Sequence, residues 1–184
     1  DGELIPADPF AAVAAGASRG IPLLCGTNLD ETKFHRAIDP AIDTPDEAGL
    51  LARCHTIWPT AGQAEYVIET YRTARQARGV DASPPELWFA IANDHRHRAP
   101  LMRQAELHAA HTPQTYAYLF AWRSPARGGR LGAAHGMEMP FVFGRLEAPR
   151  LGPLTGQNTA VQRLSGHMMD AWIAFARTGY PATA

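Results

Sequence analysis

The run Ile21-Pro22-Leu23-Leu24-Cys25-Gly26, followed by the polar stretch Thr27-Asn28-Leu29-Asp30-Glu31-Thr32-Lys33, decides how this chain is read. The first part is apolar, uncharged and too short for an ordinary helix. It suits a strand buried on both faces, as in a parallel sheet. The polar part is then a loop at the carboxyl end of that strand. Far downstream, Thr115-Tyr116-Ala117-Tyr118-Leu119-Phe120-Ala121-Trp122 is rich in aromatic residues and reads as a second strand of the same kind. Parallel strands need a long crossover, and the residues between the two runs have helical character. The fold class expected is therefore α/β, mostly helical, with two core parallel strands at about 21–26 and 115–122.

Start and stop signals divide the rest. Phe10 to Ala17 is alanine-rich and short, with Gly16 or Gly20 as its end, after a Pro- and Asp-punctuated loop over 1–9. Residues 35–44 look irregular. Thr44-Pro45-Asp46-Glu47 supplies a cap, an early proline and acidic residues for a helix running to about His55. Trp58-Pro59 breaks it. Gln63 to Arg78 is a second helix, and Ser83-Pro84-Pro85-Glu86 opens a third that passes through Trp88, Ile91 and Asp94. Pro100 has no amide hydrogen to donate, so a kink is expected there before the helix continues over Leu101 to His111. Ser124 to Ala134, with Gly128, Gly129 and Gly132, is a loop. The last helix, about Thr159 to Thr178, places Val161, Leu164, Met168, Trp172 and Phe175 on one face.

Composition bounds the function. The chain has 184 residues, 46% hydrophobic and 19% charged, with a formal net charge of -1. That is one soluble globular domain's worth of material, with no basic surplus to neutralise phosphates, so nucleic acid is not an expected partner. No apolar stretch reaches membrane-spanning length, which favours a soluble, cytoplasmic protein; the absence of a visible leader says little about location in a chain that reads as cut. Cys25 and Cys54 form no framework and no C-x-x-C, and are expected to be buried structural thiols. The abrupt opening at Asp1-Gly2-Glu3, and an end just after the last helix, read as a cut chain. Two strands are not a sheet, so their outer edges invite self-association or a missing partner.

Two residues stand where open α/β sheets gather their chemistry, at the carboxyl ends of strands. Glu31 follows the first strand, and His135 follows the second after the glycine-rich loop. A carboxylate that orients an imidazole is the arrangement a nucleophile–base system needs. A serine motif is also present: Gly16-Ala17-Ser18-Arg19-Gly20 matches G-x-S-x-G. Its context is wrong, because a nucleophile elbow has a strand before the serine and a helix after it, and here the order is reversed. The pairs His95-x-His97 and His108-x-x-His111 lack a third ligand at metal spacing.

Pro22 to Phe34 resembles the segment around the acid of type B carboxylesterases and cholinesterases, roughly P-L-L-x-G-x-N-x-D-E-G-x-x-F. His135-Gly136-Met137-Glu138-Met139-Pro140-Phe141-Val142-Phe143-Gly144 resembles the family's histidine segment, roughly H-G-x-E-x-P-F-V-F-G. The opening Asp1-Gly2, Asp94 six residues before Pro100, the strand Tyr116 to Trp122 and the Trp172 to Pro181 stretch extend the likeness along nearly the whole chain. The resemblance implies the C-terminal part of an α/β-hydrolase fold. In it Glu31 is the acid and His135 the general base of a Ser-Glu-His triad that hydrolyses small carboxylic esters. Glu138 would be a buried structural acid, and Thr32 departs from the family's frequent glycine, adding a Cβ and some local strain. The nucleophile and the oxyanion loop would lie in an absent N-terminal half, so the chain alone is expected to be inactive. No cofactor or metal is implied. Some members of this family keep the fold, lose catalysis and act in adhesion, which makes a silent interaction module the alternative.

Overall fold

The computed structural model describes residues 8–39, 42, 45–149 and 151–182. Strands β1 (Leu23–Asn28) and β2 (Thr115–Phe120) form a parallel pair, in register from Leu23 opposite Thr115 to Asn28 opposite Phe120. The α/β architecture with two parallel strands is as the sequence implies, but the strand limits move. Pro22 cannot donate to a ladder, so pairing starts at Leu23, whose N–H reaches the Gln114 carbonyl at 2.9 Å. It then runs on past Gly26 through Thr27 and Asn28. The second strand stops at Phe120, and Trp122 turns away to donate its indole N–H to the Thr155 carbonyl at 3.0 Å.

The expectation of strands buried on both faces fails for most of their length. In β1 only Thr27 and Asn28 are buried, and in β2 only Phe120. Leu119 is 50% exposed. Each strand has one neighbour in the described sheet, so the outer edges and the ends near them stay open. Cys25, on β1, is accordingly half-buried rather than buried, while Cys54 is fully enclosed.

The crossover is helical. Helix α1 (Pro9–Ala14) precedes β1 and is capped by Asp8, and residues 1–7 of the expected opening loop lie outside the described residues. After β1 come a single 3-10 turn (Glu31–Phe34) and the short α2 (His35–Ile38), so residues 35–38 are helical rather than irregular. Thr44 lies outside the described residues. The cap that α3 (Glu47–His55) uses is Asp46, whose carboxylate accepts the Gly49 N–H at 2.8 Å. Helices α4 (Gln63–Gln76) and α5 (Pro84–Asn93) complete a three-helix layer. Its core is Leu50, Cys54, Ala64, Ile68, Leu87, Trp88, Ile91 and Ala92. Burying each large aliphatic side chain contributes about 1.5–3 kcal/mol.

The helix is interrupted just before Pro100: a π turn (Asp94–Arg98) joins α5 to α6 (Ala99–Ala109), and the Ala99 N–H bonds back to the Asp94 carbonyl. The wider turn absorbs the missing donor and the bulk of the proline ring. Asp94 is held within this layer, as the resemblance implies: Tyr71 donates to it at 2.7 Å and Arg98 pairs with it at 3.2 Å.

Beyond β2 the loop over 124–134 carries one 3-10 turn, followed by α7 (Met139–Val142), α8 (Gly152–Thr155) and α9 (Thr159–Thr178). Helix α9 has the limits and the face read from the sequence. Asn158 caps it through the Val161 N–H at 3.0 Å, and Gly179 closes it at φ 73°. Val161 joins Phe120, Ala133 and Phe141 in a second core, with Leu164 and Met168 packed on it. Trp172 meets Tyr118 edge-on at 4.9 Å, and Phe175 meets Tyr116 at 6.1 Å. Among the described residues no helix is long and apolar enough to cross a membrane.

Candidate active site

Because the strands are parallel, the loops that follow them emerge at the same edge of the sheet. Glu31 opens the 3-10 turn three residues beyond Asn28 and is buried, at 8% exposure. Its Oε1 accepts the Asn28 backbone N–H at 2.7 Å, and its Oε2 lies 2.7 Å from His135 Nδ1. The His135 backbone N–H also donates to the Glu31 carbonyl at 3.3 Å. Both carboxylate oxygens are thus engaged, and the acid has no freedom to turn from the imidazole.

The two loops are sewn together on both sides of that bond. The Asp30 N–H donates to the Ala133 carbonyl at 3.0 Å, and the Ala133 N–H donates to Asp30 Oδ2 at 3.0 Å. Asn28, 1% exposed, donates its side-chain amide to the Ala134 carbonyl at 2.8 Å and to the Glu138 carboxylate. Glu138 is therefore hydrogen-bonded, but half-buried where full burial was expected. Lys33 ties Asp30 at 3.0 Å to Glu86 of α5 at 2.9 Å. Thr32 shows none of the strain anticipated for it. Its φ is not positive, it is 4% exposed, and its hydroxyl donates to the Phe89 carbonyl at 3.1 Å.

The pair is asymmetric. The Glu31 side chain is 9% exposed and that of His135 is 66% exposed. A carboxylate accepts only, so Nδ1 carries the proton, and in the neutral ring Nε2 has the lone pair. Among the described residues nothing hydrogen-bonds Nε2, and the side chain that carries it is two-thirds exposed. This is an oriented imidazole able to take a proton from a group brought against it.

Two rings flank His135. Phe34, from the same 3-10 turn as Glu31, lies edge-on with centroids 6.4 Å apart. His97, from the π turn, lies 6.2 Å away at a 36° tilt. Burial holds the His97 imidazole below the usual histidine range. Glu31 opposes that shift, while His135, Arg96 and His35 add to it. Nothing in the sequence marks His97 for this site. It stood there as half of an unpromising metal pair, and only the π turn brings its ring round to His135.

The other singled-out residues go elsewhere. Ser18 sits in the turns between α1 and β1, where its carbonyl accepts the Ile21 N–H at 3.2 Å. His108 bonds Thr115 Oγ1 at 2.7 Å, and His111 bonds the Ala14 carbonyl at 2.7 Å and Arg19 at 3.2 Å. His95 meets Trp58 edge-on at 5.3 Å. No group of three His, Cys, Asp or Glu residues that could hold a metal ion occurs among the described residues. A cleft of about 770 Å³ opens between α4, α5 and the loop after β1, lined by Asp30, Tyr71, Arg75, Glu86 and Asn93 among others. Neither Glu31 nor His135 lines it, so it is not the space in front of Nε2.

Known proteins share this arrangement of segments. The model of the carboxylesterase family matches residues 1–184. The para-nitrobenzyl esterase of Bacillus subtilis is 30% identical over all of this chain and 34% of its own length. Human neuroligin-2 is 28% identical over 98% of this chain and 23% of its own. A solved carboxylesterase of Geobacillus stearothermophilus superposes with a TM-score of 0.78 at 28% identity, covering 100% of this chain and 36% of that one. The chain thus spans about a third, or less, of the length of the relatives it matches. With its whole length matched by the family model and its elements superposing on a solved member, this chain belongs to the carboxylesterase family, type B, of the α/β-hydrolase superfamily.

Proposed function

We propose that this chain supplies the acid and the general base of a serine esterase that hydrolyses small carboxylic esters. The observation that carries the reading is the 2.7 Å bond from His135 Nδ1 to a buried Glu31 already fixed by the Asn28 N–H. Residues 1–184 form the C-terminal portion of a carboxylesterase domain, and the nucleophilic serine and oxyanion donors come from a preceding portion. In the reaction, His135 Nε2 takes the serine Oγ proton as that oxygen attacks the ester carbonyl. Glu31 holds the resulting imidazolium, and His135 returns the proton to the leaving alcohol. Water then repeats the sequence on the acyl-enzyme and releases the acid. No metal or cofactor enters any of these steps. Without a nucleophile the chain alone is inactive, and its open strand edges are the places where the complementary portion, or a second copy, attaches.

The test is hydrolysis of a p-nitrophenyl ester by this chain, alone and co-expressed with the N-terminal portion of a related esterase. Activity is expected only in the pair. Glu31→Gln lowers kcat by roughly three to four orders of magnitude, and His135→Ala by at least as much. Activity of the chain alone that is lost in Ser18→Ala would overturn the assignment of roles. The second reading, a catalytically silent interaction module, draws on the likeness to neuroligin-2, a relative whose name carries no esterase. It gains if the two portions fold and associate yet hydrolyse nothing.

A further inference from the structure

We infer that His97 is a positioning residue for His135: the π turn lays its ring against the exposed imidazole, and with Phe34 it holds that ring in the Glu31-bonded orientation. This rests on the reading of His135 as the general base.

The case begins with what the Glu31 bond leaves undone. One hydrogen bond at Nδ1 fixes the position of that atom but not the plane of the ring. The His135 side chain is two-thirds exposed, so solvent supplies little to hold it. Bracing has to come from neighbouring rings, and the two found among the described residues come from different elements. Phe34 presents its edge from the 3-10 turn, at an interplanar angle of 66°. His97 lies more nearly face-on from the π turn, at 36°. Both centroid separations fall within the range of aromatic pairs that attract.

The backbone that delivers His97 is itself unusual. A regular α-helix through Asp94–Arg98 would carry residue 97 round to a different direction. The π turn, closed by the Ala99 N–H on the Asp94 carbonyl, shifts the register just there, and this segment packs against β1. Such single π turns interrupt helices at functional sites more often than elsewhere. Pro100 removes a donor from the same stretch and so lowers the cost of leaving the α pattern.

The chemistry of the brace suits its place. His97 is half-buried, and the charged or titratable groups facing it are Glu31 from the 3-10 turn, His35 from α2, Arg96 from its own turn and His135 itself. Burial disfavours its charged form. A neutral ring packs against the imidazolium without repelling it, as a cation in that position would.

The experiment uses the 184-residue chain as it stands and needs no turnover. The readout is the His135 Nδ1–H proton shared with Glu31, followed by NMR as its exchange with solvent. His97→Phe keeps a ring and should leave that proton protected; His97→Ala should exchange it several-fold faster. Unchanged exchange in a folded His97→Ala would overturn the inference. Should the alanine variant not fold, the titration of His97 decides. His135 is exposed, so His135→Gln spares the fold, and it should raise the His97 midpoint; an unmoved midpoint refutes the contact. Glu31→Gln separates the two ideas. If it leaves the His135 proton unchanged, the Glu31–His135 pair and the base assignment fail together. If it abolishes that proton while His97→Ala has no effect, only the role of His97 falls.

Discussion

Gly132 leaves room for the Asp30 carboxylate: a Cβ added to Gly132 would lie 2.2 Å from Asp30 Oδ2, at a backbone φ of +57°. That oxygen is the one that accepts the Ala133 N–H and so pins the histidine loop to the acid loop. Gly132→Ala should therefore cost about 2–4 kcal/mol, combining a steric clash with left-handed backbone strain. Gly20→Ala is the control, because its φ is +81° but nothing stands within 4 Å of the added carbon. It should cost only about 1 kcal/mol. Equal losses in urea unfolding of the two variants would remove the clash with Asp30 from the account.

Asn28 carries the other stitch. Its side chain is buried and donates to both the Ala134 carbonyl and Glu138, while its backbone N–H fixes Glu31. Asn28→Leu strands two acceptors and should cost about 2–4 kcal/mol, each unsatisfied group contributing its desolvation penalty. The backbone bond to Glu31 does not depend on the side chain. The His135–Glu31 proton should therefore still be seen in whatever fraction stays folded, and its disappearance from a folded variant would show that the amide, not the ladder, orients the acid.

Much of this was legible beforehand, for identifiable reasons. Helix α9 has a period of 3.6 residues, a capping asparagine and a closing glycine, so its limits read directly from residues 158–179. The Glu31 and His135 segments each carry a proline, at least one glycine and a conspicuous acid or imidazole. What escaped was whatever depends on partners across the chain. The strand limits shifted because Pro22 cannot pair and because Asn28 finds Phe120 opposite it. The burial of β1 was overread, since an apolar run tells nothing of whether neighbouring strands are present to cover it. The π turn was not legible, because a proline announces a missing donor but not how the helix absorbs the loss. His97 was invisible for the same reason.

Tyr71 donates to Asp94 at 2.7 Å, beneath the start of that π turn. Burial and the neighbouring carboxylate push its phenol well above the ordinary tyrosine range, so it remains a donor at any pH at which the fold persists. Tyr71→Phe should lose about 1.5–3 kcal/mol, the contribution typical of a hydrogen bond to a charged acceptor. The loss should be the same between about pH 6 and 9, since the tyrosine keeps its proton throughout that interval. A strongly pH-dependent loss over that interval would show that the bond is not the source of the effect.

His97 gives the chain a pH dependence of known sign. Its folded pKa lies below the unfolded value of about 6.5. Between the two the unfolded state binds more protons, so this group lowers stability as pH falls through about 6.5, and the loss is complete once pH is below the folded value. Urea midpoints for the wild type should drop between pH 7.5 and pH 5.5, and His97→Phe, which cannot titrate, should show a smaller drop. An identical drop in the two would assign the acid sensitivity to other groups.

The last prediction concerns the seam between the strands and α9. Gly26 pairs with Tyr118 across the sheet, and a Cβ at Gly26 would lie 2.3 Å from the tyrosine ring. The ring therefore lies over the glycine, using the space a side chain would take, and from there it meets Trp172 edge-on at 4.9 Å. Three links depend on that glycine: the flat approach of the ring, its contact with Trp172, and through Trp172 the seating of α9 on the sheet. Gly26→Ala forces the ring off its position. The clash involves ring atoms next to the backbone, so a small swing of a flexible tip does not relieve it, and a cost of about 1–3 kcal/mol is expected. Trp172→Phe in the wild-type background tests the same contact from the other side, keeping an aromatic edge while shrinking the surface. Because both changes act through one contact, their effects should fall short of additive, with a coupling of about 0.5 kcal/mol or more in a double-mutant cycle. Strict additivity would mean that the ring's position over Gly26 and its packing on Trp172 are independent, and that α9 is seated by its other contacts.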